Sequence, residues 1–514
     1  MKEVFKVKKW WGENAAELEQ SPNNVVSDYS NSIKQAIVVS AIRWPEFNTT
    51  DKLISIWKLL SKDKIDIEKI KTKLNEIRDF HLDVVNDKIQ WDRLKVKNLI
   101  RYNFEELLNN ILEYLEIDKD ERIIPSKEND YLINTKSKDI SIIWFGEILS
   151  ADIHTTLLNN IWAAEKNYSS SWISSNNSLN NIWLSDMKAK TLDFKWITKN
   201  IDLNWWEDVI FSQLSSEISL RVKDILDKNK IPVIPWYIPW FENWIENAIG
   251  RWYSDATASM TAVWLSTIFD VTLEIQKSVK WMLSVDPGML ENWKAKLIQK
   301  IDYLTAKEIT GIRWAQAKLL HNQVLRRELQ EAWIAVRLFD PFKNNKWTII
   351  SREKDENSSG VEFIWGRDNV TFFSVSSGKM SSKWVIADVF SIVKKYCSVD
   401  IISTSETEIS FTIDSGLEQS KLEEISQKIR GKLWIKQNWY EDFVKYEPYK
   451  ALVFCVGQNL SNNLWSLWRA AGSLSNAGIN IEMVSQWIME RAMIFGIQGS
   501  KLKQAINVLH DEFI

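Results

Sequence analysis

Apolar and polar positions along the 514 residues fall into three regimes. In the first, residues 4–8 read as a strand, residues 10–12 as a turn and residues 36–42 as a buried strand. Residues 62–118 are charged, with apolar positions one helical turn apart: Ile70, Leu74 and Ile77, then Leu107, Leu108, Ile111, Leu112 and Leu115. They predict a helical insertion. A strand at 140–143 ends on Trp144-Phe145-Gly146-Glu147 and feeds a helix through Leu158, and the Ser/Asn-rich stretch 169–181 predicts a surface loop. From 196 to 350, short apolar runs (209–211, 232–234, 336–339) alternate with helical patterns. That alternation predicts α/β layering around a largely parallel sheet.

A polar stretch at 351–360 marks a boundary, and an internal repeat follows. Strand 370–375, a helix with Val385, Ile386, Val389 and Val393 on one face, strands 399–403 and 408–413 and helix 417–429 form one copy. Strand 451–457, helix 466–476, strands 479–485 and 492–497 and helix 502–512 repeat the order about eighty residues later. The order β-α-β-β-α with a closing strand is a small ferredoxin-like unit. Two in tandem behind a domain of catalytic size predict regulation.

Charge is balanced, 65 basic against 68 acidic residues, so no polycationic surface for nucleic acid or anionic lipid is expected. Cys397 and Cys455 are the only cysteines, which suits a reducing cytoplasm and excludes a disulfide scaffold. No apolar run approaches the roughly 20 residues of a membrane helix.

One count is anomalous: 29 Trp against 15 Gly. Average usage predicts about 7% Gly, roughly 36 residues. The tryptophans also sit where the backbone should turn: Trp236 and Trp240 in a Pro-punctuated run, Trp44 before Pro45, Trp347 after Lys-Asn-Asn-Lys, and Trp10-Trp11 before Gly12. Turns with positive φ or close backbone approach call for glycine. The expectation is that most of these letters are glycine natively, through a genetic code that reads UGA as glycine.

Two strings carry chemistry. Val7-Lys8-Lys9-Trp10-Trp11-Gly12, read with glycine at 10 and 11, runs a strand into a Gly-rich turn whose N–H groups can approach phosphate, with Lys8 as a point charge. Gly250-Arg251-Trp252-Tyr253-Ser254-Asp255 opens a helix, and Arg251 offers a bidentate fork for a carboxylate. Alone, each has a plainer reading as a solvated lysine or a helix cap.

Together they resemble the aspartokinases, amino acid kinases with two C-terminal ACT domains. The family's Lys-Phe-Gly-Gly is similar to Lys8-Lys9-Trp10-Trp11, its Val-Ser-Ala to Val39-Ser40-Ala41, its Gly-Glu to Gly146-Glu147 and its Gly-Arg-Gly-x-Ser-Asp to residues 250–255. Its nucleotide segment resembles residues 279–287, ending on Asp286-Pro287, although Leu283 and Gly288 replace a Tyr and an Arg. Val399-Asp400-Ile401-Ile402-Ser403-Thr404-Ser405-Glu406 and Met483-Val484-Ser485-Gln486-Trp487 match the two ACT units. The resemblance spans essentially the whole chain, and where the family has Gly this chain usually has Trp.

The resemblance implies a three-layer α/β/α kinase domain at 1–350, with the insertion at about 62–118. A linker at 351–368, a candidate first strand of the second ACT unit, would lead to ferredoxin-like ACT domains at 369–446 and 447–514. It implies transfer of phosphoryl from ATP, with Mg2+, to the side chain of L-aspartate, the first step of lysine, threonine and methionine (diaminopimelate) biosynthesis. Lys8 and Asp255 would be catalytic, Asp255 orienting Lys8. Ser40, Thr50, Glu147, Arg251 and Ser254 would bind aspartate. Lys8, Trp10, Trp11, Gly12, Lys277, Ser278, Asp286 and Lys318 would bind ATP. Met380, Val385, Ile386, Asp400 and Ser405 would bind a feedback amino acid, lysine before threonine, with ACT domains building a homodimer or tetramer. No structural metal, nucleic acid or membrane partner is implied, and His81 and His154 read as structural. The rival readings are another amino acid kinase and a catalytically degenerate amino-acid sensor.

Overall fold

The chain divides into two units, Met1–Trp281 with Leu319–Arg352, and Met282–Lys318 with Glu353–Ile514. The structure, a computed structural model, describes residues 2–10, 28, 33–44, 47–60, 65–89, 93–116, 132–134, 139–141, 145–146, 149–159, 189–191, 207–228, 230–235, 253–276, 282–286, 288–290, 295–311, 320, 325, 327–339, 347–355, 358, 360–378, 384–414, 417–435, 442–460, 465–486 and 491–514.

The first unit is built on strands β1 (Val4–Trp10), β2 (Lys34–Val39), β3 (Ala189–Thr191), β4 (Ile231–Pro235), β5 (Asp270–Gln276), β6 (Ala335–Phe339) and β7 (Trp347–Ser351). Their order is β7-β6-β5-β1-β2-β4-β3. Every pair is parallel except β6 with β7. Burial on both faces explains the runs of Val and Ile: Ile37, Val38, Val39, Val233 and Ile234 are all fully enclosed. The order puts β1 at the centre, where the ends of β1 and β2 meet side by side, Trp10 opposite Val39.

Helices α1 (Thr49–Leu60), α2 (Ile67–Lys88) and α3 (Arg93–Glu116) bury the predicted stripe, Ile70, Leu74, Ile77, Leu107 and Ile111, in a cluster of their own with Leu149 and Ile153. One strand expectation fails. Residues 209–211 lie in a helix, α4 (Glu207–Asp227), because the apolar positions continue at helical spacing through Leu214, Ile218, Val222 and Ile225. The strand expected at 140–143 is the short Asp139–Ser141, paired antiparallel with Leu132–Asn134 outside the large sheet. Helix α5 (Tyr253–Leu265) covers β1, β2 and β5.

The second unit starts at Met282, includes a short strand at Lys300–Asp302 and α6 (Tyr303–Gly311), and continues as strands β8 (Phe363–Ser376), β9 (Val399–Thr404), β10 (Glu408–Asp414), β11 (Phe443–Val456), β12 (Ile481–Gln486) and β13 (Ala492–Gln498). Helices α7 (Val385–Val393), α8 (Gln419–Leu433), α9 (Ser466–Asn476) and α10 (Leu502–Phe513) alternate with them. The antiparallel sheet runs β9-β10-β8-β11-β13-β12. Long strands β8 and β11 pair from Phe363 opposite Val456 to Ser376 opposite Phe443. The second half of β8 opens the first repeat and its first half closes the second; β11 does the reverse. Each β-α-β-β-α run thus gains its closing strand from the other.

Helix ends bear on the tryptophans. Helix α9 closes on Gly478 at φ 69°, with Ile479 N–H donating back to Leu474 O at 3.0 Å. Helix α8 closes the same way on Trp434 at φ 62°, with Ile435 N–H to Arg430 O at 2.9 Å, and the short helix Arg327–Glu331 on Trp333 at φ 57°, with Ile334 N–H to Leu329 O at 3.1 Å. This left-handed closure is a glycine position. Trp465 is left-handed too, at φ 75°, and all three indoles are exposed.

Candidate functional site

Successive side chains on β1 point to opposite faces. Phe5, Val7 and Lys9 share one face; Lys6, Lys8 and Trp10 share the other. Helix α5 covers the first, and its opening turn brings Asp255 to Lys9: Nζ and Oδ1 are 2.7 Å apart, with both side chains sealed from water. Asp255 therefore faces Lys9, not Lys8, which corrects the expected pairing. The reason is register, because Lys8 points away from α5.

Lys8 meets Asp28 at 2.5 Å. Asp28 also takes Lys6 at 2.9 Å, Lys6 reaches Glu274 at 3.4 Å, and Glu274 accepts from Arg337 at 3.1 Å. Burial lowers the Lys8 pKa, partly opposed by Glu274 and Asp28. Burial alone would raise the pKa of Asp28, but Lys8 and Lys6 hold it below the usual carboxylate range. Lys9 was missed by the sequence reading, yet a signal existed: Lys9-Trp10-Trp11-Gly12 also fits Lys-Phe-Gly-Gly, one residue later, with Trp10 in the aromatic place. Trp10 behaves as a packed side chain there, buried with Ile37, Val39, Ala151, Leu158, Ile231 and Val233 and against the His154 ring at 5.3 Å.

The end of β2 is held from the same side. Ser40 N–H donates to Trp10 O at 3.3 Å, and Ser40 O accepts from Ser150 Oγ at 2.6 Å. Ser150 Oγ lies 3.2 Å from His154 Nδ1, which sits 2.7 Å from Ser150 O. Burial pushes the His154 pKa down to about 4, leaving it neutral at pH 7. Thr50 is the second residue of α1, just after Thr49, whose hydroxyl donates to Ile42 O at 2.7 Å. Ser254 stands in the first turn of α5. Trp11, Gly12, Glu147, Arg251, Lys277, Ser278, Lys318 and Met380 lie outside the described residues.

In the second unit, Asp286 Oδ1 accepts the Gly288 N–H at 2.9 Å and so shapes its own turn. Of the expected effector residues, Val385 is wholly buried in the first repeat's core, whereas its neighbour Ile386 is exposed. Asp400 pairs with Arg367 at 2.8 Å. Ser405 Oγ accepts from Glu408 N–H at 3.0 Å and closes the β9–β10 turn. Among the described residues, no group of three or more His, Cys, Asp or Glu is placed to hold a metal ion, and no helix is long and apolar enough to cross a membrane.

Comparison with known proteins extends this picture. Residues 453–513 match the ACT domain family. Aspartokinase 2, chloroplastic, of Arabidopsis thaliana is 22% identical, covering 100% of this chain and 85% of its own length, and the aspartokinase of Candida albicans is 23% identical over 99% and 90%. Among solved structures, Clostridium acetobutylicum aspartate kinase superposes with a TM-score of 0.70 at 17% identity, covering 99% of both chains. E. coli aspartokinase III in complex with lysine and aspartate gives 0.66 at 19%, also covering 99% of both. The chain is thus similar along its whole length to aspartate kinases, and it shares their fold.

Proposed function

We propose that the chain transfers the γ-phosphoryl group of ATP to the side-chain carboxylate of L-aspartate, releasing ADP and 4-phospho-L-aspartate. The observation that carries this reading is the sealed Lys9–Asp255 pair at the central strand end. A carboxylate oxygen attacks Pγ as the bond from Pγ to the bridging oxygen breaks, so no proton needs moving. The protein must bring two anions together and neutralise the charge spreading over the phosphoryl oxygens. Lys9 supplies that charge. Asp255 compensates and aims it, since an ammonium so deeply buried needs a counter-charge. N–H groups of the following turn are placed in sequence to cradle phosphate. Mg2+, carried on the nucleotide phosphates with most of its waters, would add charge there. By resemblance, Arg251 takes the substrate α-carboxylate, Glu147 its ammonium, and Ser40, Thr50 and Ser254 line the pocket. The E. coli relative's complex with lysine supports feedback by an amino acid at the ACT domains.

ATP-dependent aspartyl hydroxamate formation tests the proposal. Product should require both aspartate and ATP. Lysine binding without any product would favour the amino-acid sensor instead.

We also propose that the tryptophans at left-handed positions are glycine natively: Trp333 and Trp434 because Gly478 fills the same helix closure, and Trp465 because its φ of 75° at the start of α9 favours glycine. Trp10, a packed side chain, stays tryptophan. Codons of UGA at the three turns and UGG at position 10 would support this; UGG throughout would refute it.

A further inference from the structure

Residues 282–286 belong to the stretch that resembles the nucleotide segment, and two sets of contacts fasten them and the following residues 295–302 to the second repeat. The first is a hairpin on the last helix. Ser284 N–H donates to Lys296 O at 2.8 Å and Ile298 N–H to Met282 O at 2.9 Å, so the two arms flank the Asp286 turn. Ser284 Oγ lies 3.0 Å from His510 Nε2 on α10, and Ser284 O accepts from Ile364 N–H at 2.8 Å. Val285 and Leu290, on either side of the turn, are buried in one core with Ile506 and Leu509. Lys296 Nζ reaches the Ile514 carbonyl.

The second set is a polar knot. Gln458, buried just after β11, accepts from Asp302 N–H at 2.8 Å and Asp355 N–H at 3.1 Å, and donates to Lys300 O at 3.2 Å and Glu362 Oε1 at 2.5 Å. All four hydrogen-bonding sites of its amide are used. Asp302, 3% exposed, accepts from Thr305 Oγ1 at 3.0 Å and from Arg491 Nη1, which is also 2.6 Å from Thr305 Oγ1. Gly457 permits the crossing: a Cβ there would stand 1.6 Å from Gly360 O.

We infer that Arg491, Gln458 and His510 are positioning residues for the nucleotide subsite: the second repeat holds residues 282–286 and 295–302 together. The Asp286 turn cannot shift on its own, because Ser284, Val285 and Leu290 tie it on both sides. This rests on reading that turn as nucleotide-facing. Losing Arg491 leaves the Asp302 carboxylate buried without its cation, and the segment must move to hydrate it.

The test uses the full chain, with a non-hydrolysable ATP analogue measured by calorimetry and amide exchange followed over residues 282–305. Arg491→Ala should weaken the analogue about tenfold and speed exchange in that segment, while the KM for aspartate stays within about twofold. Arg491→Lys should recover most of the affinity. Ser284→Ala, milder and on the other anchor, should weaken it about threefold, and it serves if Arg491→Ala fails to fold. Faster exchange with unchanged nucleotide affinity would overturn the inference, as would unchanged exchange, or a wild-type chain that binds no nucleotide. A wild type that binds the analogue but makes no aspartyl hydroxamate, with Arg491→Ala still losing affinity, would sink the aspartate reading and leave the positioning intact.

Discussion

Lys8 and Lys9 are neighbours on one strand and both are buried, yet their surroundings differ in kind. Lys9 pairs with Asp255, which is sealed with it beneath α5. Lys8 joins a shared network in which Asp28 also takes Lys6, and Lys6 and Arg337 also reach Glu274. A shared network tolerates the loss of a member because the remaining charges regroup. A sealed ion pair that loses one member leaves the other charge buried, whereas replacing both members by apolar side chains often costs nothing or stabilises. A sealed pair at the mouth of a parallel sheet therefore points to function.

The largest effect should follow from breaking the sealed pair. Lys9→Met leaves the buried Asp255 carboxylate without the Lys9 ammonium, so stability should fall by roughly 3–5 kcal/mol in denaturant melts. The double variant Lys9→Met/Asp255→Leu should recover most of that stability, while hydroxamate formation stays down by on the order of a thousandfold. Recovery of activity together with stability would make the pair purely structural and collapse the contrast.

Next in size are the two buried histidines, one of them behind Trp10 on the Lys8 face. Burial takes His81 and His154 from 6.5 to about 4 in the folded chain. A depressed folded pKa means the unfolded chain binds the proton more readily. The stabilising contribution is therefore complete above pH 6.5 and is lost as pH falls towards 4, amounting to about 3 kcal/mol per histidine. His81 Nδ1–H donates to Ile77 O at 2.7 Å, and its Nε2 has no hydrogen-bond partner. His81→Leu should flatten the decline measured between pH 7 and 4.5 by about one proton's worth, roughly 1.4 kcal/mol per pH unit. An unchanged slope would show that His81 is not held neutral.

Much of this was legible in the chain. The helical stripe through Ile70, Leu74 and Ile77 and the repeat order after residue 363 follow from apolar periodicity, which tertiary packing then uses directly. The run 209–211 misled because three apolar residues suit a strand or a helix equally, and only Leu214 to Ile225 decide it. Lys8 and Lys9 misled for a different reason. Period two says that they face opposite ways, but it cannot say which face a helix 240 residues later will cover. The fastening of residues 282–302 to Gln458 and Arg491 left no local signal either, since each bond joins residues more than 150 positions apart.

Lys8→Met should be the mild counterpart. Asp28 keeps Lys6 at 2.9 Å, so the loss should be about 1 kcal/mol, with turnover within about tenfold of the wild type. A collapse of turnover like that of Lys9→Met would restore the earlier frame of the motif.

The smallest effect carries the contrast to the tryptophans, between what a packed face demands and what a turn demands. Trp434 is 76% exposed at φ 62°, so its indole gains little from burial while its Cβ strains a left-handed backbone. Trp434→Gly should stabilise the chain by about 1 kcal/mol, less the extra freedom glycine brings to the unfolded state. Trp10 is 3% exposed, and Trp10→Gly should cost several kcal/mol, at least the roughly 3–5 of emptying a large aromatic site. Melts of the two variants should therefore move in opposite directions from one parent. If both lose stability, Trp434 is held by its ring and the proposed glycine is wrong there; if both gain, Trp10 also stands in a glycine's place, and the Lys9 frame of the motif loses its aromatic residue.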